Sequence, residues 1–348
     1  MQSLKLTSLP ELYETGADMI IDVRAPSEFA EDHLPGAVNL PVLSDAQRTE
    51  VGTIYTRESA FTARKIGAAL VAENAAAHLK GPLANKPGDW QPLVYCWRGG
   101  QRSGSFATIL DQVGWRVHLL EGGYRTYRKL IVDSLYKGVL EHRIALIEGG
   151  TGTGKTQLLQ YVQEAGGQVL DLEALAAHRG SLFGAVDEAQ PSQKMFETQI
   201  SAVLSGLDPT RTTWVEAESS KIGSRLIPPA LWSGMCAAPR IELRAPLTAR
   251  AEFLCRAYAD LTENAANLLK QLDHLRPYHA AEKIIWWQKL VEVGNWPALA
   301  SDLINTHYDP RYAKSAARRE ATARVIVLES LGEADLQSVA RDLVAEFR

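Results

Sequence analysis

Gly149, Gly150, Thr151, Gly152, Thr153, Gly154, Lys155 and Thr156 form a G-x-x-x-x-G-K-T stretch after the apolar run Arg143–Ile147. Leu158, Leu159 and Val162 follow at helical spacing. Strand, glycine loop and helix in that order suit a polyphosphate. Glycines let the loop curl with its N–H groups inward, and a helix N-terminus adds partial positive charge. Lys155 is placed to reach an outer phosphate, and the Thr156 hydroxyl to ligate Mg²⁺. The loop leaves open which phosphate compound it takes.

Cys96-Trp97-Arg98-Gly99-Gly100-Gln101-Arg102-Ser103 is the second reactive stretch. Leu93-Val94-Tyr95 before it reads as a buried strand. Phe106, Ile109, Leu110 and Val113 after it mark a helix closed by Gly114. The cysteine thus sits at a strand end, where a glycine loop turns into a helix. Inward N–H groups, Arg98 and Arg102 favour a thiolate there. The same cradle, with Trp97, Gly99, Gly100, Gln101 and Ser103, suits an anion bonded to that sulfur. C-x₅-R-S is also the pattern of cysteine phosphatases, but those carry His where this chain has Tyr95.

Softer candidates lie further on. Glu216 and Glu218 end an apolar run, where they could hold a metal-bound water, and Ser219 follows them. His178, Arg179 and Ser181 lie in a polar glycine loop that could grip a substrate phosphate. Arg311, Lys314, Arg318 and Arg319, beside Tyr308 and Tyr312, form the best basic-aromatic patch for RNA, and Arg125, Arg128 and Lys129 form another. Trp286 and Trp287 read as core at helical spacing.

These residues need elements to position them. The 348 residues suffice for two domains, and the hydrophobic fraction of 46% and charged fraction of 22% are ordinary. No apolar run approaches the ~18 residues of a membrane span. Three cysteines without metal-ligand spacing argue for a reducing cytoplasm, and a net charge of −4 leaves RNA binding to local patches. The fold expected is α/β. Residues 1–130 form one domain and 131–141 a helical linker. Residues 142–348 form a doubly wound parallel sheet with a helical insertion at about 247–304. Its strands are expected at Arg143–Ile147, Gln168–Leu170, Thr213–Glu216, Arg240–Leu243 and Arg324–Leu328, with ligand at their carboxyl ends.

Asp22-Val23-Arg24 with Glu28, the stretch His33 to Pro41, and Glu121-Gly122-Gly123-Tyr124 resemble a rhodanese domain. Rhodanese followed by a P-loop domain resembles the tRNA 2-selenouridine synthases, over nearly the whole chain. The resemblance implies Cys96 as a selenium carrier, as a perselenide, with selenophosphate as donor. It implies a two-step transferase acting on tRNA. Geranyl diphosphate first alkylates the sulfur of wobble 2-thiouridine, and selenium then replaces the geranylated sulfur. It further implies a cytoplasmic protein with selenophosphate synthetase as supplier, no tightly bound cofactor and no membrane partner. Three other readings stay open on the residues: an ATP-dependent tRNA sulfurtransferase, a cysteine phosphatase, and a non-catalytic adaptor.

Overall fold

The computed structural model describes residues 1–180, 189–259, 265–316 and 323–347. The chain divides into two compact units. One comprises Met1–Leu140, Pro191–Gly206 and Pro228–Ala230, and the other Glu141–Gln190, Leu207–Ile227 and Leu231–Arg348. The segment Pro191–Gly206, expected with the second half, therefore clusters with the first.

In the first unit β1 (Gln2–Leu4), β2 (Met19–Asp22), β3 (Ala37–Asn39), β4 (Pro92–Tyr95) and β5 (His118–Leu120) form a sheet of order β1-β5-β4-β2-β3. All its pairings are parallel. All four residues of β4 are buried, as expected of a central parallel strand. The core includes Ile21, Val94, Phe106, Leu110 and Trp115.

Two helices, Asp45–Arg57 and Ala60–Lys80, lie between β3 and β4. Ser44 and Gln47 form a capping box at the first, and the Ser59 hydroxyl accepts from the Thr62 N–H at the second. The expected linker helix ends early. An α-helix spans Gly123–Val132 and a π-turn Asp133–Lys137, and Gly138 breaks it before residue 141.

In the second unit β6 (Arg143–Gly149), β7 (Gln168–Leu170), β8 (Thr212–Glu216), β11 (Arg240–Arg244) and β12 (Arg324–Val327) form a parallel sheet of order β12-β11-β6-β8-β7. A hairpin of β9 (Lys221–Ile222) and β10 (Arg225–Leu226) lies outside it. Strand β6 is central, so its carboxyl end opens where strand order reverses, the usual ligand position in such sheets. Leu158, Leu159, Val162, Leu336 and Leu343 pack against the sheet.

Helices Leu247–Ala257, Ala265–Asp273, Ala281–Glu292, Trp296–Leu303 and Asp309–Ala316 fill the connection from β11 to β12. The insertion thus runs further than the expected residue 304. Ile284, Trp287, Leu290 and Val291 form its core, while Ile285 and Trp286 are exposed. One helix face cannot bury neighbouring positions together, so the tryptophan pair splits. Trp287 also donates to Asp302 at 2.8 Å. None of the described helices is long and apolar enough to cross a membrane.

Candidate active site

Cys96 lies directly after β4, 3% exposed, at the start of a loop that turns into the helix Gln101–Val113. Its Sγ accepts a hydrogen bond from the Ser103 hydroxyl at 3.1 Å. Burial works against its charge. The Ser103 hydroxyl, the Ser103 and Arg98 amides and the Arg102 charge outweigh that, so the thiol lies below its ordinary range.

The two arginines are not equivalent. Arg98 is exposed. Arg102 is half-buried and donates to Glu28 at 2.7 Å, and Glu28 is also paired with Arg48 at 2.8 Å. Arg102 therefore acts on the sulfur from a fixed position. Trp97 lies over Tyr124 with ring centroids 5.2 Å apart, Gln101 is exposed, and Gly99 and Gly100 complete the turn.

Beneath the loop is a rigid buried network. Arg24, 1% exposed, donates to the Asp22 carboxylate and to the Asp32 carbonyl, and stacks 4.2 Å from the Tyr124 ring centre. The Tyr124 hydroxyl donates to Asp32 at 2.6 Å, and the Tyr95 hydroxyl accepts from the Leu34 amide at 3.1 Å. Tyr95 is thus a structural anchor below the cysteine. The 121–124 segment touches the cysteine loop backbone to backbone. A Cβ on Gly123 would sit 2.2 Å from the Cys96 carbonyl oxygen and 2.7 Å from the Gly99 nitrogen.

In the second unit the phosphate loop joins β6 to the helix Lys155–Glu164. Gly152 and Gly154 have φ of 82° and 79°, a region that glycine enters without strain. Thr153 closes the turn by donating to the Gly150 carbonyl at 2.9 Å. Lys155 Nζ lies 3.3 Å from Glu216 Oε1, and the Thr156 hydroxyl donates to Glu216 Oε2 at 2.9 Å.

Glu173, Glu216 and Glu218 bring carboxylate oxygens within 4.8 Å of one another. Glu173 is the member that sequence reasoning missed. It stands on a short helix after β7, and only the parallel pairing of β7 with β8 brings it beside Glu216. Burial and the charges of Glu216 and Glu218 push Glu173 up. Burial and Glu216 push Glu218 up, against Lys155. Burial opposes the charge of Lys155, but the carboxylates outweigh it and raise its pKa. Hard oxygen donors beside a phosphate-loop hydroxyl are the set Mg²⁺ prefers, so these residues fit that ion.

A cavity of about 430 Å³ opens here. Lys155, Thr156, Glu173, Glu216, Glu218 and Arg179 line its polar side, and Phe253, Leu254, Ala257, Tyr258 and Tyr308 its apolar side. Arg179 stacks over Tyr258 at 4.9 Å. His178 is not among the lining residues. Its Nδ1 accepts from the Gly180 amide, and burial holds its pKa down. Ser219 donates to the Lys221 carbonyl at 2.6 Å, as a turn residue does. Ser181 lies outside the described residues.

The basic patch at the end of the insertion is described only in part, and in that part Arg311 and Lys314 are both exposed. Arg311 donates to the His307 carbonyl at 2.9 Å and stacks over Tyr278 at 4.8 Å. Tyr308 lines the phosphate-loop cavity, and Tyr312 is pushed up to about 12 by burial and Glu242. Lys314 is exposed, while Arg318 and Arg319 lie outside the described residues. Arg240, Arg244, Arg250 and Arg256 each have an internal partner: Glu148, Glu242, Asp309 and the Leu331 carbonyl.

Comparison with known proteins agrees with this arrangement. A family model described as a rhodanese-like domain matches residues 6–130, and one described as the tRNA 2-selenouridine synthase AAA domain matches 142–285. The chain is 33% identical over 250 residues to the tRNA 2-selenouridine synthase of Psychromonas ingrahamii, covering 72% of this chain and 67% of that one. The synthases of Aeromonas salmonicida and Salmonella arizonae are 35% and 37% identical. In each of those two pairs 69% of this chain is matched, against 64% and 66% of the relative, so the match spans about two thirds of these proteins. With a rhodanese-like half around Cys96 and a P-loop half around Lys155, the chain belongs to the tRNA 2-selenouridine synthase family.

Proposed function

We propose that the protein is a transferase that converts the wobble 2-thiouridine of tRNA to 2-selenouridine in two steps. Geranyl diphosphate is the first co-substrate and selenophosphate the second. The observation that carries this reading is the composition of the 430 Å³ cavity: a phosphate loop on one side and an apolar wall from Phe253 to Tyr258 on the other. A diphosphate with a hydrocarbon tail matches both sides.

In the first step the thiocarbonyl sulfur attacks the carbon that bears the diphosphate, and pyrophosphate departs. The loop amides and Lys155 neutralise the charge that develops on the leaving group. Glu173, Glu216, Glu218 and Thr156 would hold Mg²⁺, which supplies further positive charge to the diphosphate. Alkylation makes C2 an isothiourea-like carbon. Selenophosphate held at the Cys96 loop adds its selenium there, geranyl thiol departs, and water takes the phosphoryl group as phosphate, leaving 2-selenouridine. The lowered pKa of Cys96 and its anion-accepting loop support the carrier role. The protein then acts on tRNA in the cytoplasm and receives selenium made by a selenophosphate synthetase.

The test is mass spectrometry of a 2-thiouridine anticodon fragment incubated with the protein and geranyl diphosphate, with and without selenophosphate, and without ATP. A geranyl mass gain that gives way to selenium supports the reading. Reaction only when ATP is added would replace it with an ATP-dependent sulfurtransferase.

A further inference from the structure

In the first unit a second cleft, of about 290 Å³, opens beside the Cys96 loop. Trp97 and Tyr124 line it, with Val132 further along the helix Gly123–Val132. It joins the sulfur site through the backbone. The Tyr124 amide donates to the Cys96 carbonyl at 2.8 Å, and the Arg125 amide to the Trp97 carbonyl at 3.1 Å.

The charges around it are unequal. Arg128 is paired with Glu197, Lys194 with Glu31 and Lys137 with Asp133. Arg125 and Lys129 are exposed one helical turn apart, and the Asp133 carboxylate on the same cleft feels the Lys129 charge while it is paired with Lys137. A half-buried tryptophan beside two exposed cations, next to a nucleophilic sulfur, is the chemistry of single-stranded RNA recognition. The ring offers a stacking face, and the cations meet the backbone.

We propose that this cleft docks the anticodon loop, with a base flanking the target nucleotide stacked on Trp97 and its phosphates on Arg125 and Lys129. The inference rests on tRNA being the substrate, and it adds a binding site on the selenium-carrying unit. An unstacked loop held there brings the wobble base to Cys96, because Trp97 is the adjoining residue.

The experiment uses the full chain and an anticodon stem–loop RNA carrying a photoreactive thiouridine beside the wobble position. Titrations run from low to physiological salt with the wild type and the R125E, K129E and double variants. Thermal melts confirm that each variant folds. Expected are at least tenfold weaker binding by the double variant and a salt slope flatter by roughly 1.4, the loss of two phosphate contacts. The wild-type crosslink should map to Trp97 or Tyr124 and be kept by Trp97→Phe but lost in Trp97→Ala. Unchanged affinity and slope in a folded double variant, or a crosslink confined to other peptides, would overturn the cleft. The cations would then be left to an acidic protein partner. A wild type that binds no RNA would instead remove the tRNA reading beneath it.

Discussion

The Ser103 hydroxyl points at Cys96 Sγ from the first turn of the helix that follows the loop, at 3.1 Å, and is the strongest single contact favouring the thiolate. Ser103 itself is fully buried. A hydroxyl bond to a charged sulfur in such a place is worth about 1.5–3 kcal/mol. Ser103→Ala should move the thiolate to higher pH and slow iodoacetamide alkylation of Cys96 at neutral pH by about tenfold or more. The pH profile of alkylation reads this directly, and an unshifted profile would remove Ser103 from the site.

Lys155→Ala should abolish geranylation, with kcat down about 10²–10³-fold, the usual cost of losing one charge-stabilising group. Selenium loading of Cys96 should survive. Cys96→Ala should do the opposite and accumulate S-geranyl RNA without selenium. Normal geranylation by the lysine variant would exclude the phosphate loop from that step.

Glu173 and Glu218 hold their protons more tightly folded than unfolded. Their contribution to stability is therefore full below the ordinary carboxylate range. It is lost as pH rises through neutrality toward the folded values. Glu173→Gln keeps the neutral shape and should melt higher than the wild type at pH 8, by about 3–6 °C for ~1–2 kcal/mol, yet equally at pH 4. Mg²⁺ should raise the wild-type melting temperature more than that of the variant at pH 8. Equal responses would take Glu173 out of the cation site.

Arg250, 9% exposed, bridges the Thr151 carbonyl at 2.9 Å and both oxygens of Asp309 at 3.0 and 2.6 Å. It fastens the phosphate loop to the helical insertion. Lysine cannot reproduce that planar fork. Arg250→Lys should raise the KM for the diphosphate about tenfold while leaving Cys96 alkylation unchanged. A KM within twofold of wild type would show that the loop holds its shape unaided.

Much of the site was legible because it is local. Each reactive loop lies within eight consecutive residues or so, between a buried strand and a periodic helix, and the strands β6, β7, β8, β11 and β12 stood close to their expected places. What sequence could not give was pairing across the chain. Glu173 joins Glu216 only through the β7–β8 ladder. Arg102 is held by Glu28, 74 positions away. Arg311 stays exposed while it bonds back to the His307 carbonyl and stacks on Tyr278, contacts that spacing does not foretell. Spacing reports which residues share a face of one element, and it says nothing of which carboxylate a distant arginine will meet.

The closeness of Gly123 to the Cys96 carbonyl has a consequence for how variants of this protein will be read. In the proposed roles both reactive loops grip anions largely with main-chain amides, and no codon change deletes an amide short of proline. A survey that trims side chains to alanine will therefore understate these loops, and the informative substitutions add atoms rather than remove them. Gly123→Ala, at φ 57° and 2.2 Å from an oxygen, should cost about 2–4 kcal/mol or more and silence Cys96. Gly104→Ala, in an open helical position, should gain up to about 1 kcal/mol. Two identical exchanges, nineteen positions apart, would then separate a glycine kept for its emptiness from one that is merely small.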